Sequence, residues 1–346
     1  VGKIKLLVDG TEFENWTQVT CTASIEELAR TFSFTTKRGI SNGAFRGKVF
    51  DIKPQSECKV YIDNILFLTG YIDRVASRTS AIEKSINFEG RSKTSDIIDC
   101  TVDAIGANFK NRNIKEIAGI IASKFNVNVV CDLDLPKFKY TAYNQGEKCI
   151  DYLKRLADLN GVTLTTNEKG DIVITKAGNE KYNTSFKENM SFITEWGFDE
   201  NYAGRYSEYT IKGQTDGKNI TSSFKDDTVK RYRPLVIISE TDEVNIKERA
   251  TNHAMRSIGD GISGTLTIKN FTDAEGKIYL PNKQIYCNFP NDGIDQMMLI
   301  KSASYSCDAQ STSCVLELAD PRAFYENRNP INKSKSEIKG LPDAKK

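Results

Sequence analysis

His253 is the chain's single histidine, so any imidazole acid–base, nucleophilic or zinc chemistry has to start from it. A His-based triad also demands a nucleophile and an orienting acid held in one geometry. His253 falls instead on a helical stretch, at the edge of an apolar face set by Ile246, Ala250, Ala254 and Ile258. A structural or solvent-edge histidine is the better reading. Gly259-Asp-Gly-Ile-Ser-Gly264 matches the G-x-G-x-x-G string. The phosphate cradle of such loops is made by backbone N–H groups that open a helix, whereas this string follows one. A loosened helix exit is expected there. No G-x-S-x-G, H-E-x-x-H or Walker loop occurs. Carboxylates are plentiful enough for a glycosidase pair, but no pair stands out, and solvated charge accounts for them.

Eight cysteines stand at positions 21, 58, 100, 131, 149, 287, 307 and 314. None forms C-x-x-C, and most fall at apolar positions, where a free thiol behaves as a small hydrophobe. A reduced, cytoplasmic site of synthesis fits better than a disulfide framework. With one histidine and no clustered ligands, no metal and no cofactor is expected. Arg231-Tyr-Arg-Pro234 precedes the apolar run Leu235 to Ile238. A phosphate or partner contact is one reading, and a snorkelling entrance to a buried strand is the preferred one. Tyr140-Thr-Ala-Tyr143-Asn-Gln-Gly146-Glu147, with Ile150, Leu153 and Gly161, resembles a LysM repeat, a peptidoglycan-binding unit. The surrounding order of helix, strand, helix and hairpin departs from the two-strand, two-helix LysM order. Carbohydrate binding therefore ranks second.

The elements around these residues are mostly strands. The chain has 346 residues, 39% of them hydrophobic and 27% charged, which allows two or three ordinary globular domains. A net charge of +2 is too balanced for a nucleic-acid coat. No window approaches 18 apolar residues, and no basic-then-apolar leader opens the sequence. Val1 is read as the residue left after removal of an initiator Met. Ile4, Leu6 and Val8 alternate before Asp9-Gly10; strands follow at Cys21 to Ala23 and Thr31 to Thr36. Residues 1–102 read as a first all-β unit. The period then changes. Asn113 caps a helix bearing Ile117 and Ile121, and Gln145 to Glu147 opens a second with Leu153 and Leu156, stopped by Gly161. A hairpin closes this α+β module at 103–180. From 181 to 325 strands resume, with a helix from about Glu243 to Ile258. Residues 326–346 form a polar tail.

Two stretches echo each other. Lys48 to Phe50, Pro54, the alternating Cys58, Val60 and Ile62, the apolar Leu66 to Ile72 and then Ile86 and Phe88 make one series. Lys277 to Leu318 repeats the order, with Ile285, Cys287 and Phe289, then Met298 to Ser306, then Cys314, Leu316 and Leu318. Duplication is the preferred reading.

Four segments carry a wider resemblance. They are KIKLLVDGTEFENWTQVTCTASIEELARTFSF, KYTAYNQGEKCIDYLKRLADLNGVTLTTNEKGDIVIT, SEYTIKGQ followed by RYRPLVIISE, and the ending IYLPNKQIYCNFPNDG, MLIKSASYS and LELADPRAF. Their order over residues 1–325 resembles the baseplate hub proteins of contractile-tailed bacteriophages, the group of the Mu-type tail hub and the late-control D proteins. The resemblance implies a mainly β fold with an α+β insert: two tail-tube-like β-barrel domains plus the small module. It implies a structural hub and not an enzyme, a homotrimer joining the hexameric tail tube protein to the trimeric central spike protein. Other baseplate proteins are further partners, DNA only passes through the channel, and no stable membrane association is implied. The place implied is the tail baseplate of the virion, assembled in the bacterial host cytoplasm. A peptidoglycan-binding or muralytic tail-associated protein is the alternative. The tail lies outside the resemblance, and its Lys333, Lys335, Lys339 and Lys345 are candidate partner contacts.

Overall fold

Ile4, Leu6 and Val8 form β1 (Ile4–Val8) with all three side chains buried. Asp9 and Gly10 both take positive φ, 47° and 79°, the geometry of a two-residue hairpin whose twist matches its strands. The hairpin returns as β2 (Thr11–Phe13). The computed structural model describes residues 2–13, 16–39, 52–81, 83–102, 108–178, 180–215, 218–238, 246–308 and 310–324. The first half continues with β3 (Gln18–Ser24), β4 (Thr31–Gly39), β5 (Glu57–Ile62), β6 (Ile65–Thr79) and β7 (Glu83–Ser92). The expected short strand at Lys48 to Phe50 lies outside the described residues, as do Glu243 to Asn245 and the tail lysines.

The α+β module follows. It comprises α1 (Ser95–Asp99), β8 (Asn108–Arg112), α2 (Ile114–Ala122), β9 (Val129–Val130), β10 (Phe138–Ala142), α3 (Cys149–Asn160), β11 (Thr163–Thr166) and β12 (Ile172–Thr175). Asn113 Oδ1 accepts from the Glu116 amide at 2.9 Å while Glu116 Oε2 accepts from the Asn113 amide at 3.1 Å. This reciprocal cap satisfies two donors that a helix start leaves orphaned. Gly161 ends α3 in the left-handed region at φ 59°, where a side chain is disfavoured. Ile117, Ile121, Leu153 and Leu156 face Leu164, Ile172 and Ile174 of the hairpin in one buried cluster.

The second half holds β13 (Glu180–Lys187), β14 (Ile193–Glu200), β15 (Glu208–Thr215), β16 (Lys218–Lys225), β17 (Pro234–Ile238), α4 (Ile246–Asp260), β18 (Ile262–Ile268), β19 (Lys283–Phe289), β20 (Ile294–Asp308) and β21 (Thr312–Ala319). β15 to β17 form a separate three-stranded sheet with α4 across β15 and β16. Arg231 to Ile238 is not the buried strand expected. Among the described residues β17 pairs only with β15, so it stands at the sheet's rim with its other edge unpaired. Val236 is 51% and Ile238 74% exposed. The basic entrance does not snorkel either. Arg233 donates to the Ala203 carbonyl at 2.7 Å and lies over the Tyr206 ring.

All other strands of the two halves share one 13-stranded sheet. Across it the first half runs β1-β5-β6-β7-β4-β3 and the second runs β13-β19-β20-β21-β18-β14. In chain order these are the same six places, occupied in the same sequence. β6 and β20 each have 15 residues and each carries a bulge at the same place. Ile72 faces Gly90 and Arg74 faces Glu89 across the first bulge. Ile300 faces Leu318 and Ser302 faces Glu317 across the second. The repeat departs at its first strand, where β1 runs antiparallel to β5 but β13 runs parallel to β19, and in a further bulge of β5–β6 that β19–β20 lacks.

The halves join through β3 and β20, antiparallel from Ser24–Ser302 to Gln18–Asp308. β20 gives the same edge to β19 along its first part and to β3 along its second. Strand pairing closes neither half into a barrel among the described residues. One hydrophobic core spans both, with the Tyr305 ring 5.6 Å from Phe67 and 5.4 Å from Phe271. The module is pinned to the first half by Arg30. Its buried guanidinium donates to the Phe67 carbonyl at 2.5 Å and the Thr166 carbonyl at 3.0 Å.

Candidate functional site

The residues that could have done chemistry are spread apart. His253 is half-buried on α4. The glycine string serves close packing: a Cβ at Gly259 meets the Ala323 backbone nitrogen at 2.0 Å, and one at Gly264 meets the Phe198 ring at 2.4 Å. Burial pushes the Cys58 and Cys287 thiols up to about 12 and the Cys149 thiol up to about 11, away from the reactive thiolate. Among the described residues no three His, Cys, Asp or Glu gather to hold a metal, and no helix is long and apolar enough to cross a membrane. Tyr143 of the LysM-like stretch packs on Tyr152, and Glu147 accepts from Arg155 at 3.0 Å. These contacts hold the module together.

What the fold does present is a sheet with one dry and one wet face. Cys21, Ala23, Tyr305 and Ala303 turn into the core from either side of the β3–β20 seam. The alternate residues turn out. Thr20 and Thr22 of β3 adjoin Ser304 and Ser306 of β20, and the Thr22 and Ser304 hydroxyls lie 2.7 Å apart. Ser33 and Thr35 of β4 and Thr265 and Thr267 of β18 extend the pattern. Ser33 donates to Asn87 at 3.1 Å, and Asn87 donates to Glu89 at 3.2 Å. The seam is therefore lined by short neutral hydroxyls, and the strands beside it set acids on the same face, Glu89 opposite Ser33 and Glu317 opposite Thr265; neither hydroxyls nor acids hold a polyanion.

Among the described residues β14 and the far end of β6 are open edges of the sheet, as are β13 and the short β2. β14 pairs with β18 on one side, and among the described residues nothing pairs with its other. Glu195, Gly197 and Asp199 lie on its outer face, while Trp196 and Phe198 pack on Phe289 at 5.6 and 5.1 Å. Beyond Ile72, β6 pairs with β7 alone among the described residues. Arg74 and Arg78 are exposed on this stretch, and Arg74 reaches Glu89 at 3.3 Å. Unpaired strand edges of this length invite another strand. Sequence reasoning missed these residues; the signal was two acids four apart on β14 and two arginines four apart on β6. The lysines it did nominate, Lys333, Lys335, Lys339 and Lys345, lie outside the described residues.

Known proteins share this arrangement. Residues 3–92 match a family model described as Mu phage baseplate assembly protein GpP-like, N-terminal. Residues 94–176 match one described as baseplate hub protein gp44-like, second domain. The baseplate hub protein gp44 of Escherichia phage Mu is 29% identical over 303 residues, 81% of this chain and 77% of the Mu protein. Among solved structures, the 43 kDa tail protein of prophage MuSo2 from Shewanella oneidensis covers 94% of this chain and 99% of its own. It has a TM-score of 0.84 and 26% identity. The tail protein from Neisseria meningitidis MC58 has the same fold at a TM-score of 0.77, covering 95% of this chain and 99% of its own, with 18% identity. Two baseplate models match in succession and a Mu hub aligns along most of both chains: the chain belongs to the baseplate hub proteins of Mu-type phage tails.

Proposed function

We propose that three copies of this chain form a ring in the baseplate of a contractile phage or phage-like tail, joining the hexameric tail tube to the trimeric central spike. The observation that carries this reading is the repeat within the sheet, six strands taken twice in the same order with a bulge at the same place in each copy. A tube ring offers six equivalent surfaces. Three chains, each contributing two similar lobes, meet those six while remaining threefold towards the spike. The hydroxyl face supports its use as the wall of a channel through which DNA slides unbound, since phosphates are held chiefly by Lys and Arg. The family assigns a structural role in the virion tail. We divide the chain accordingly into lobes at 1–102 and 181–325, the module at 103–180, and a tail at 326–346. The tail's lysines are proposed to meet a neighbouring subunit or the spike. Electron cryo-microscopy of the parent tail tip tests this reading: three copies around one channel are expected, and six copies or an off-axis position overturn it.

A further inference from the structure

We infer that two of these open edges are each other's partners: β14 of one chain pairs antiparallel with the far end of β6, Asp73 to Thr79, of a second copy. This rests on the ring reading above and names the contact that builds the ring. The template lies inside each chain. Cys21, Phe32, Gly90 and Ile72 stand side by side across β3, β4, β7 and β6. Phe198, Gly264, Leu318 and Ile300 stand side by side in the same way across β14, β18, β21 and β20. β14 is therefore the counterpart of β3, and β6 the counterpart of β20. β3 already has its partner, the far end of β20. The corresponding partner of β14 is the far end of β6, and among the described residues the chain does not bring these two together.

The seam register carries over residue by residue. Val19–Cys307, Cys21–Tyr305 and Thr22–Ser304 in the chain become Trp196–Thr79, Phe198–Ser77 and Asp199–Ala76 between chains. Charge supports this register. Glu195, Gly197 and Asp199 then share a face with Ala76 and Arg78, with Gly197 directly opposite Arg78. A Cβ at Gly197 meets nothing within 4 Å, so an arginine side chain has room to cross it between the two acids. Opposite charges at such cross-strand neighbours stabilise a pair, and like charges weaken it. Each contact joins two different edges, so the association is head-to-tail, the kind that makes a ring where its rotation closes.

The Thr22 and Ser304 hydroxyls, 2.7 Å apart, choose the test. Thiols at their counterparts lie within disulfide reach if the edges pair. Tails are assembled with full-length chain carrying Asp199→Cys and Ala76→Cys on a Cys100→Ser background, which removes the exposed thiol, and are then oxidised. Covalent multimers ending at a closed trimer are expected, with none from either single substitution. As a second arm, Arg78→Glu should weaken self-association of the purified chain at least about fivefold, and Asp199→Arg added to it should restore association, with melting temperature unchanged throughout. Threefold hub rings that give no cross-link and no charge rescue overturn the edge pairing and leave the adaptor reading standing. Tails whose hub is not threefold overturn both.

Discussion

The hydroxyls of Thr22 and Ser304 lie 2.7 Å apart although 282 positions separate them in the chain. They sit on the wet side of the seam, directly opposite the ring of Tyr305 on the dry side. β3 of the first half and β20 of the second thus lie in one sheet over one core, and the halves are not independent units.

Unfolding should report this. The Tyr305 side chain is buried, donates to the Tyr279 carbonyl, and touches Phe67 and Phe271. Tyr305→Ala is expected to cost about 3–5 kcal/mol, as for large buried aromatics. Both halves should lose structure in one denaturant transition, followed by Trp16 and Trp196 fluorescence in single-tryptophan variants. Two separated transitions would show that the shared core does not couple them.

The module has its own core. Leu153→Ala, at a fully buried position of α3, should cost about 2–5 kcal/mol. A cost below about 0.5 kcal/mol, typical of exposed sites, would mean that α3 turns another face to the hairpin.

Acid should loosen the small sheet of the second half. Burial pushes the Asp226 carboxyl up, but hydrogen bonds from Thr228 and Arg205 outweigh it and hold the group below its ordinary 3.8. Both Arg205 and Asp226 are buried, 2.8 Å apart. A carboxylate whose folded pKa is depressed stabilises the fold above its unfolded value. That contribution is lost as pH falls through the folded value. Asp226→Asn should remove this acid dependence below about pH 4 and cost about 3–5 kcal/mol at neutral pH by stranding Arg205. Hydrogen exchange at β15 and β16 between pH 3 and 7 reads both effects.

The tail lysines should matter to assembly and not to folding. Lys333→Glu, Lys335→Glu, Lys339→Glu and Lys345→Glu together are expected to leave the melting temperature unchanged and to reduce recovery of the chain in purified tails. A lowered melting temperature would place them in the fold.

Purified chain incubated with peptidoglycan should release no fragments above a buffer control. Lysis abolished by a single carboxylate substitution would establish a muralytic activity in place of a purely structural role.

Much of this fold is legible in the sequence because it is local. Parity fixes which side of β1, β19 and β21 is buried, since successive strand residues face opposite ways. Asn113 with Glu116, and Gly161, mark helix ends through their own hydrogen bonds and backbone angles. The repeat is legible only in its meanders, β5 to β7 and β19 to β21. β3 runs straight on to β4, but residues 201–261, with β15 to β17 and α4, stand between their counterparts β14 and β18. Pro234 to Ile238 misleads because five residues without a charge look buried on both sides, whereas the sheet they join ends with them. The seam is illegible. Thr, Ser, Ala and Cys carry no signal that names a partner nearly three hundred residues away.

Arg30 has a last consequence. By holding the Phe67 and Thr166 carbonyls together, it fixes the body of the module to the first lobe, while only its end, at Lys176 and Gly178, meets Asn282 and Gln284 of the second among the described residues. In a ring of alternating lobes, such modules recur at every second position. In the ring proposed above, the wall would read as six from within and as three from outside, with one guanidinium per chain keeping the two counts in phase.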